Sequence, residues 1–169
     1  MKKGRKICIV TSTRAEYGIL KQIIFGLDKD PELCLQLIVT GTHLSDKFGY
    51  TIKEIKEDQL PIVKEIDILL ASDTPIGTSK TMGLALISFS EALQELNPDL
   101  LLLVGDRFEI FSVSAAAVVA NIPIAHIHGG ESTIGAIDEA FRHSITKMAS
   151  IHFTATEKYR QRVIQLGEH

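Results

Sequence analysis

The stretch HIHGGESTIGAIDEAFRH, from His126 to His143, places three histidines, three carboxylates and an arginine within eighteen positions, directly after an apolar run. Imidazoles titrate near neutrality, and carboxyls in contrasting environments can take opposite halves of a proton-transfer cycle. The residue types therefore suit acid/base chemistry. Each element also has a structural reading. His126 and His128 would share a strand face as a metal-binding pair, but no Cys, Asp or further His stands at a recognisable ligand spacing, so no metal is expected. Gly129 and Gly130 allow a sharp turn and close approach of backbone to a ligand, which is also ordinary loop chemistry. Asp138 and Glu139 fall where a helix begins. There they would complement the helix dipole, worth ~0.3–1 kcal/mol, and form the pairs Asp138–Arg142 and Glu139–His143. For Glu139 that structural role is the expected one.

Similar residues recur elsewhere at the ends of apolar runs: Thr11-Ser12-Thr13-Arg14, Gly41-Thr42-His43, Gly105-Asp106-Arg107 and Thr154-Ala155-Thr156. In VGDR, Asp106 is either a helix N-cap with Arg107 on the surface, or a base held rigidly at a strand end. In TSTRAEYG, a loop donates N–H groups and Arg14 into a helix start, which suits an anion such as phosphate. Neither GxGxxG after the first strand nor GxxxxGK[ST] occurs. A dinucleotide dehydrogenase or a P-loop NTPase is thereby disfavoured.

Elements that could hold these groups follow one rhythm. Strand-like runs alternate with helix-like segments: KICIV, then Glu16 to Asp28; LQLIVTG, then Ser45 to Asp58; EIDILL, then Ser79 to Leu96. They continue as DLLLLVG, then Phe108 to Ala120; PIAHIH, then Asp138 to Ala149; IHFTAT, then Glu157 to Leu166. Near-continuous apolar strands call for a parallel sheet covered on both faces. Asn97-Pro98 and Asn121-Ile122-Pro123 stop two helices, and Thr78 or Ser79 caps another. The pattern predicts an α/β, doubly wound, Rossmann-like domain over residues 1–169. In such sheets ligands bind beyond the carboxyl ends of the strands, where every stretch named above would lie. The outer face of Ser79–Leu96 is apolar enough for core or for a subunit contact, with core the expected use.

Composition removes other classes. A chain of 169 residues with 45% apolar and 23% charged residues forms one globular domain rather than a disordered tail. A formal charge of −3 without a long basic run gives no footprint for nucleic acid. The opening MKKGRK resembles the start of a signal peptide, but ICIV is too short to be its apolar region. The most apolar segment, 110–125, is interrupted by Ser112, Ser114, Asn121 and Pro123 and falls short of a membrane span. Cys8 and Cys34 sit in strand-like runs without zinc or disulfide spacing, as expected of reduced thiols in a cytoplasmic protein.

The blocks TSTRAEYG, VTGTHLS…FG, SDTPIGTSK, VGDRFEIF, IPIAHIHGGESTIGAIDEAFRHSITKMA and HFTATEKYRQRVIQLGE resemble, in order, the hydrolysing UDP-N-acetylglucosamine 2-epimerases, in the branch feeding sialic-acid and related nonulosonate synthesis. The likeness runs from about Lys6 to Glu168. It implies the N-terminal half of a two-domain, GT-B-like chain whose C-terminal nucleotide-binding domain is absent here. It also implies elimination of UDP to a 2-acetamidoglycal, then hydration to N-acetylmannosamine, with no cofactor and no metal. The UDP-sugar would be shared with the missing domain, the fragment would turn over little alone, and the full-length enzyme would be a dimer or tetramer. Carried over by motif, Asp106 and Asp138 are acid/base residues and Arg14 lies near the diphosphate. His43, Arg107, His126, Gly129, Gly130, Arg142 and His143 are expected to line the substrate. Some relatives carry a catalytic glutamate where this chain has His128, so either His128 or Glu131 takes that role. A UDP-2,4-diacetamido-2,4,6-trideoxyhexose is the alternative substrate, and a non-catalytic binding or dimerisation module is the alternative from another class.

Overall fold

A computed structural model describes residues 4–70, 72–133 and 135–169; the basic opening at residues 1–3 lies outside that range. Strands and helices alternate as β1 (Arg5–Thr11), α1 (Arg14–Lys29), β2 (Leu33–Thr40), α2 (Ile52–Glu57), β3 (Ile62–Ile66), α3 (Pro75–Leu96), β4 (Leu100–Val104), α4 (Phe108–Val119), β5 (Ile124–Ile127), α5 (Asp138–Met148), β6 (Ile151–Phe153) and α6 (Glu157–Gln165). All the pairings are parallel and the strand order is β3-β2-β1-β4-β5-β6. This is the doubly wound, Rossmann-like α/β fold expected from the sequence. The order reverses between β1 and β4, so the loops after those two strands part from each other and leave a crevice.

The continuous apolar strands resolve into two alternating faces. Cys8 and Val10 of β1 and Leu101 and Leu103 of β4 pack with Phe89 of α3, Val113 of α4 and Ile145 of α5. Ile9, Leu102 and Val104 turn the other way, onto Tyr17, Leu20 and Ile24 of α1 and Ile52 and Ile55 of α2. Burial on both sides is why period-2 patterning is invisible in DLLLLVG. Asn97, in the left-handed region at φ 45°, closes α3 as expected of the Asn-Pro stop. Cys8 is a free thiol, and burial pushes it up to about 12, so it stays neutral and weakly nucleophilic in the core.

Three local expectations are corrected. The third strand is Ile62–Ile66, not EIDILL at 65–70. The Asp67 carboxylate accepts the Leu69 amide at 3.3 Å and turns the chain, while Ile68 enters the core without joining the sheet. The segment Ser45 to Asp58 is not one helix. It contains a tight turn at Asp46–Phe48, a left-handed Gly49 and Tyr50, and the short α2. The helix α3 starts at Pro75 rather than near Ser79, because Thr74 caps it by accepting the Gly77 amide at 3.1 Å and proline suits the first helical position. Among the described residues, no helix is long and apolar enough to cross a membrane.

Candidate active site

Chemistry collects where β4 and β5 end. The β4 backbone turns at Gly105 and delivers Asp106, which does not cap α4. Its carboxylate instead accepts from Nη2 of Arg142, one turn into α5. The guanidinium, only 8% exposed, also donates from Nη1 to the His128 carbonyl at 2.9 Å and to Glu131 Oε2 at 3.4 Å. The other Glu131 oxygen lies 2.8 Å from His128 Nδ1. Asp106, Arg142, Glu131 and His128 therefore form one connected chain of charge-assisted contacts. Asp138, at the first position of α5, is close enough to raise the Asp106 carboxyl electrostatically. Asp106 lies above the ordinary carboxylate range because burial disfavours its charge, with Arg142 pulling against that effect. The expected Asp138–Arg142 helix pair gives way to these longer-range partners, whereas Glu139 and His143 do pair, at 3.5 Å.

The glycine pair explains how His128 and Glu131 meet. His128 adopts φ 66°, so the chain leaves the strand at once and the imidazole departs from the face used by His126. A Cβ on Gly130, at φ 79°, would sit 2.3 Å from the Tyr159 carbonyl oxygen of α6. Only glycine permits both this backbone angle and this approach. His126 itself is fully buried, with Nε2 donating to the Gly105 carbonyl at 2.7 Å, and burial lowers its pKa to about 4. It fastens β5 to the turn carrying Asp106. The candidate HxH metal pair is thus divided by the turn. No group of three or more His, Cys, Asp or Glu among the described residues could hold a metal.

Other residues expected at the site stand apart from that chain, for reasons tertiary packing makes plain. His43 is buried between Thr11 Oγ1 at 3.0 Å and Thr51 Oγ1 at 2.7 Å, and desolvation lowers it to about 4. Arg14 is exposed and pairs with Glu54 at 2.7 Å. His143 is half-buried and pairs with Glu139, which also accepts from the Ser132 hydroxyl. The amides expected to meet a phosphate at the start of α1 are already engaged. Ser12 N and Thr13 N donate to Glu16 Oε2 at 2.6 and 3.2 Å, so an internal carboxylate occupies the anion's place.

Sequence reasoning missed that carboxylate and a second one. Glu16 is buried, and desolvation raises it to about 7, opposed by the Ser12 hydrogen bonds. Its signal was readable, since Thr13-Arg14-Ala15-Glu16 is a capping box. Glu109 is fully buried and takes Arg107 in a two-point contact, Nε to Oε2 at 3.1 Å and Nη2 to Oε1 at 2.8 Å. Nothing in the spacing announces it. Arg107 also borders a cleft of about 390 Å³ between the loops after β1, β2, β3 and β4.

Comparison with known proteins agrees with this architecture. The family model described as UDP-N-acetylglucosamine 2-epimerase matches residues 26–169. A hydrolysing GDP/UDP-N,N'-diacetylbacillosamine 2-epimerase of Campylobacter jejuni is 48% identical over 97% of this chain, and the polysialic acid biosynthesis protein P7 of Escherichia coli is 45% identical over the same share. The chain spans 42% of the length of each. The crystal structure of the Neisseria meningitidis UDP-GlcNAc 2-epimerase bound to UDP-GlcNAc has the same fold, with a TM-score of 0.86 at 21% identity over 97% of this chain and 43% of that one. The order of β-α units, the GDR and HIHGGE blocks that build the polar chain, and a match over most of the sequence place this protein in the UDP-N-acetylglucosamine 2-epimerase family.

Proposed function

We propose that this chain is the N-terminal, sugar-facing half of a hydrolysing epimerase acting on a UDP-2-acetamido sugar. The reaction eliminates UDP to a 2-acetamidoglycal and adds water, releasing the sugar inverted at C2. The observation that carries the reading is the Asp106–Arg142–Glu131–His128 chain at the carboxyl edge of β4 and β5. A C2 proton is far less acidic than any side chain, so its removal needs a positioned and partly desolvated base. Asp106 has that character: burial raises its carboxyl, and Arg142 holds it in place. Hydration then needs a proton donor on one carbon and an activated water on the other. On this reading Asp138, whose charge acts on Asp106, and His128, joined to Asp106 through Glu131 and Arg142, divide that work with it.

The His128–Glu131 contact supports a division of labour. With Glu131 ionised, Nδ1 carries the hydrogen it donates to the carboxylate, and Nε2 is left to accept or return a proton. His128 then moves the proton and Glu131 orients it, in the place where some relatives use a glutamate. Gly129 and Gly130 supply the turn, and Arg142 and His126 hold the scaffold. Substrate contact by Arg14 requires its release from Glu54, which exposure makes inexpensive.

UDP-N-acetylglucosamine, giving N-acetylmannosamine, is the proposed substrate. The 48% identity to a diacetylbacillosamine epimerase favours UDP-2,4-diacetamido-2,4,6-trideoxyhexose as a second reading. On the proposed reading, residues 1–169 form one domain, a C-terminal nucleotide-binding domain completes the cleft, and the enzyme is cytoplasmic. The full-length protein is a homo-oligomer, for which Leu86, Ile87 and Val119, exposed on α3 and α4, offer an apolar face to a second copy. Asp106→Asn in the full-length enzyme is expected to abolish UDP release from both sugars while leaving the circular dichroism and melting curve intact. Full activity in that variant would refute the assignment. Turnover of one UDP-sugar and not the other decides the substrate, and brisk UDP release by the 169-residue chain alone would show that no second domain is needed.

A further inference from the structure

A residue other than glycine in the left-handed region is strained, and persists there only where its surroundings hold it. His128 is such a residue, at φ 66°, and Gly130 follows it at φ 79°. The turn from His128 to Glu131 is held at three backbone groups. The His128 amide donates to the Phe153 carbonyl at the end of β6, at 2.9 Å. The His128 carbonyl accepts from Arg142 Nη1 at 2.9 Å. The Gly130 carbonyl accepts from Nη1 of Arg162, on α6, at 2.5 Å. Two guanidiniums, from the two helices that follow the turn, thus take two of its carbonyls, and hydrogen bonds from charged donors are the stronger kind.

The helix α6 is shaped for that last contact. Of its nine residues only Val163 is buried, so it adds little to the core. A helix this short is marginal by itself and must be held by packing. Tyr159, Arg162 and Val163 have the i, i+3, i+4 spacing of one helix face, and all three meet Gly130. A Cβ on Gly130 would lie 2.3 Å from the Tyr159 carbonyl oxygen and 2.9 Å from Val163 Cγ2. The Arg162 guanidinium lies 5.9 Å from the Tyr159 ring, which limits its swing. Both ends of the helix are fastened. Thr156 caps the start by accepting the Tyr159 amide at 3.4 Å, and Glu168, past the end, pairs with Lys147 and with His152. The donor is therefore presented by a fixed helix face.

We propose that Arg162 is a positioning residue that braces the glycine turn and so sets His128 against Glu131. The Gly130 carbonyl belongs to the peptide unit whose nitrogen is that of Glu131. Rotation of that unit would swing the Glu131 carboxylate away from His128 Nδ1, which it meets at 2.8 Å. Held in place, the carboxylate keeps the hydrogen on Nδ1 and leaves Nε2 to exchange protons. The consequence for catalysis rests on the proposed function, whereas the bracing of the imidazole does not.

The test uses the full-length enzyme with its histidine rings labelled with nitrogen-15, the His128 signals being identified by their loss in His128→Gln. At roughly pH 8 an ordinary imidazole is neutral, and the tautomer protonated on Nδ1 should dominate at His128. Arg162→Met should collapse that preference to a mixture. It should also lower kcat for UDP release about thirtyfold while KM stays within about twofold, because the lost restraint acts on the reacting group rather than on substrate affinity. Arg162→Lys keeps one charged donor and should restore both the tautomer and kcat to within about threefold. Lys158→Met removes an exposed cation from the same helix and should alter neither. Should Arg162→Met not fold, Arg162→Gln, which keeps an N–H donor without the charge, is held to the same two readouts. An unchanged tautomer and rate would overturn the inference, as would a lowered rate and melting temperature with the His128 signals unmoved. A tautomer preference lost in Arg162→Met of a protein that releases UDP from neither sugar would leave the brace standing and remove the epimerase reading. An active enzyme indifferent to Arg162→Met would do the reverse.

Discussion

The two sides of the β4 exit are built as inversions of each other. On the β5 side the arginine is the inner partner: Arg142 is 8% exposed, and it presents Asp106, Glu131 and His128 toward the rim at 19%, 26% and 33%. On the β1 side the carboxylate is the inner partner, and fully buried Glu109 presents Arg107 outward. Buried charges must be paired, but the choice of which charge is buried decides which one the site offers. One side exposes two carboxylates and an imidazole, which the proposed function uses as acid/base groups, and the other a fixed cation. The elimination proposed above, which removes a proton and expels a phosphorylated leaving group, would draw on both kinds of group.

The sharpest way to break this comparison is to delete each arginine. Arg107→Met should cost about 3–5 kcal/mol, since Glu109 has no route to water. Arg142→Met should cost less stability, because Asp106 and Glu131 reach solvent, yet it should lower full-length turnover by roughly a thousandfold or more. Urea unfolding and initial rates measure the two effects separately. Equal stability losses would show that burial of the carboxylate is not what distinguishes the sides.

A next test uses pH, because Glu16 lies behind Arg107 and close to Glu109 electrostatically. Its folded-state value of about 7 stands above its ordinary 4.5, so the folded chain keeps a proton that the unfolded chain has released. Stability from this group is fullest at the acidic end of that window and falls as pH rises through it, by about 3 kcal/mol. Glu16→Gln should remove the slope, so that the stability difference moves in the variant's favour as pH increases. His43 and His126, lowered to about 4, act in the opposite sense and cost stability as pH falls below their ordinary 6.5. They are common to both proteins and cancel in the difference. A difference independent of pH would mean that Glu16 stays ionised.

Glycine substitutions sharpen the β5 side. Gly130→Ala meets the Tyr159 carbonyl and a left-handed backbone at once, and should cost ~2–4 kcal/mol. Gly129→Ala meets Thr146 Oγ1 at 3.1 Å and His126 Nδ1 at 3.2 Å and should cost less than its neighbour. Thermal melts of the pair check the ranking. The smallest effect should come from Glu54→Ala, since its pair with Arg14 is exposed and screened. A large drop in melting temperature there would mean that Arg14 is part of the scaffold.

How far the site could be read in advance differs between these regions. GDR and HIHGGE announced the β5 side because its residues cluster in two short blocks, and the double glycine is a local requirement. The β1 side was half hidden. The capping box exposed Glu16 to inspection, but TSTRAEYG read as an anion loop when its amides in fact hold an internal carboxylate. Arg107 looked like one more rim charge, since nothing local distinguishes a buried Glu109 from any acidic residue early in a helix.

The sequence by itself determined the α/β class, the parallel sheet and the edge on which polar residues gather, because strand burial, helix stops and glycine turns are written in residues close together along the chain. Only the tertiary structure decided which charge of each pair is buried. Arg142 reaches Asp106 across 36 positions, and Glu109 is dry because sheet and helices close around it. Desolvation depends on everything that surrounds a group, and that is a property of the folded whole rather than of any segment.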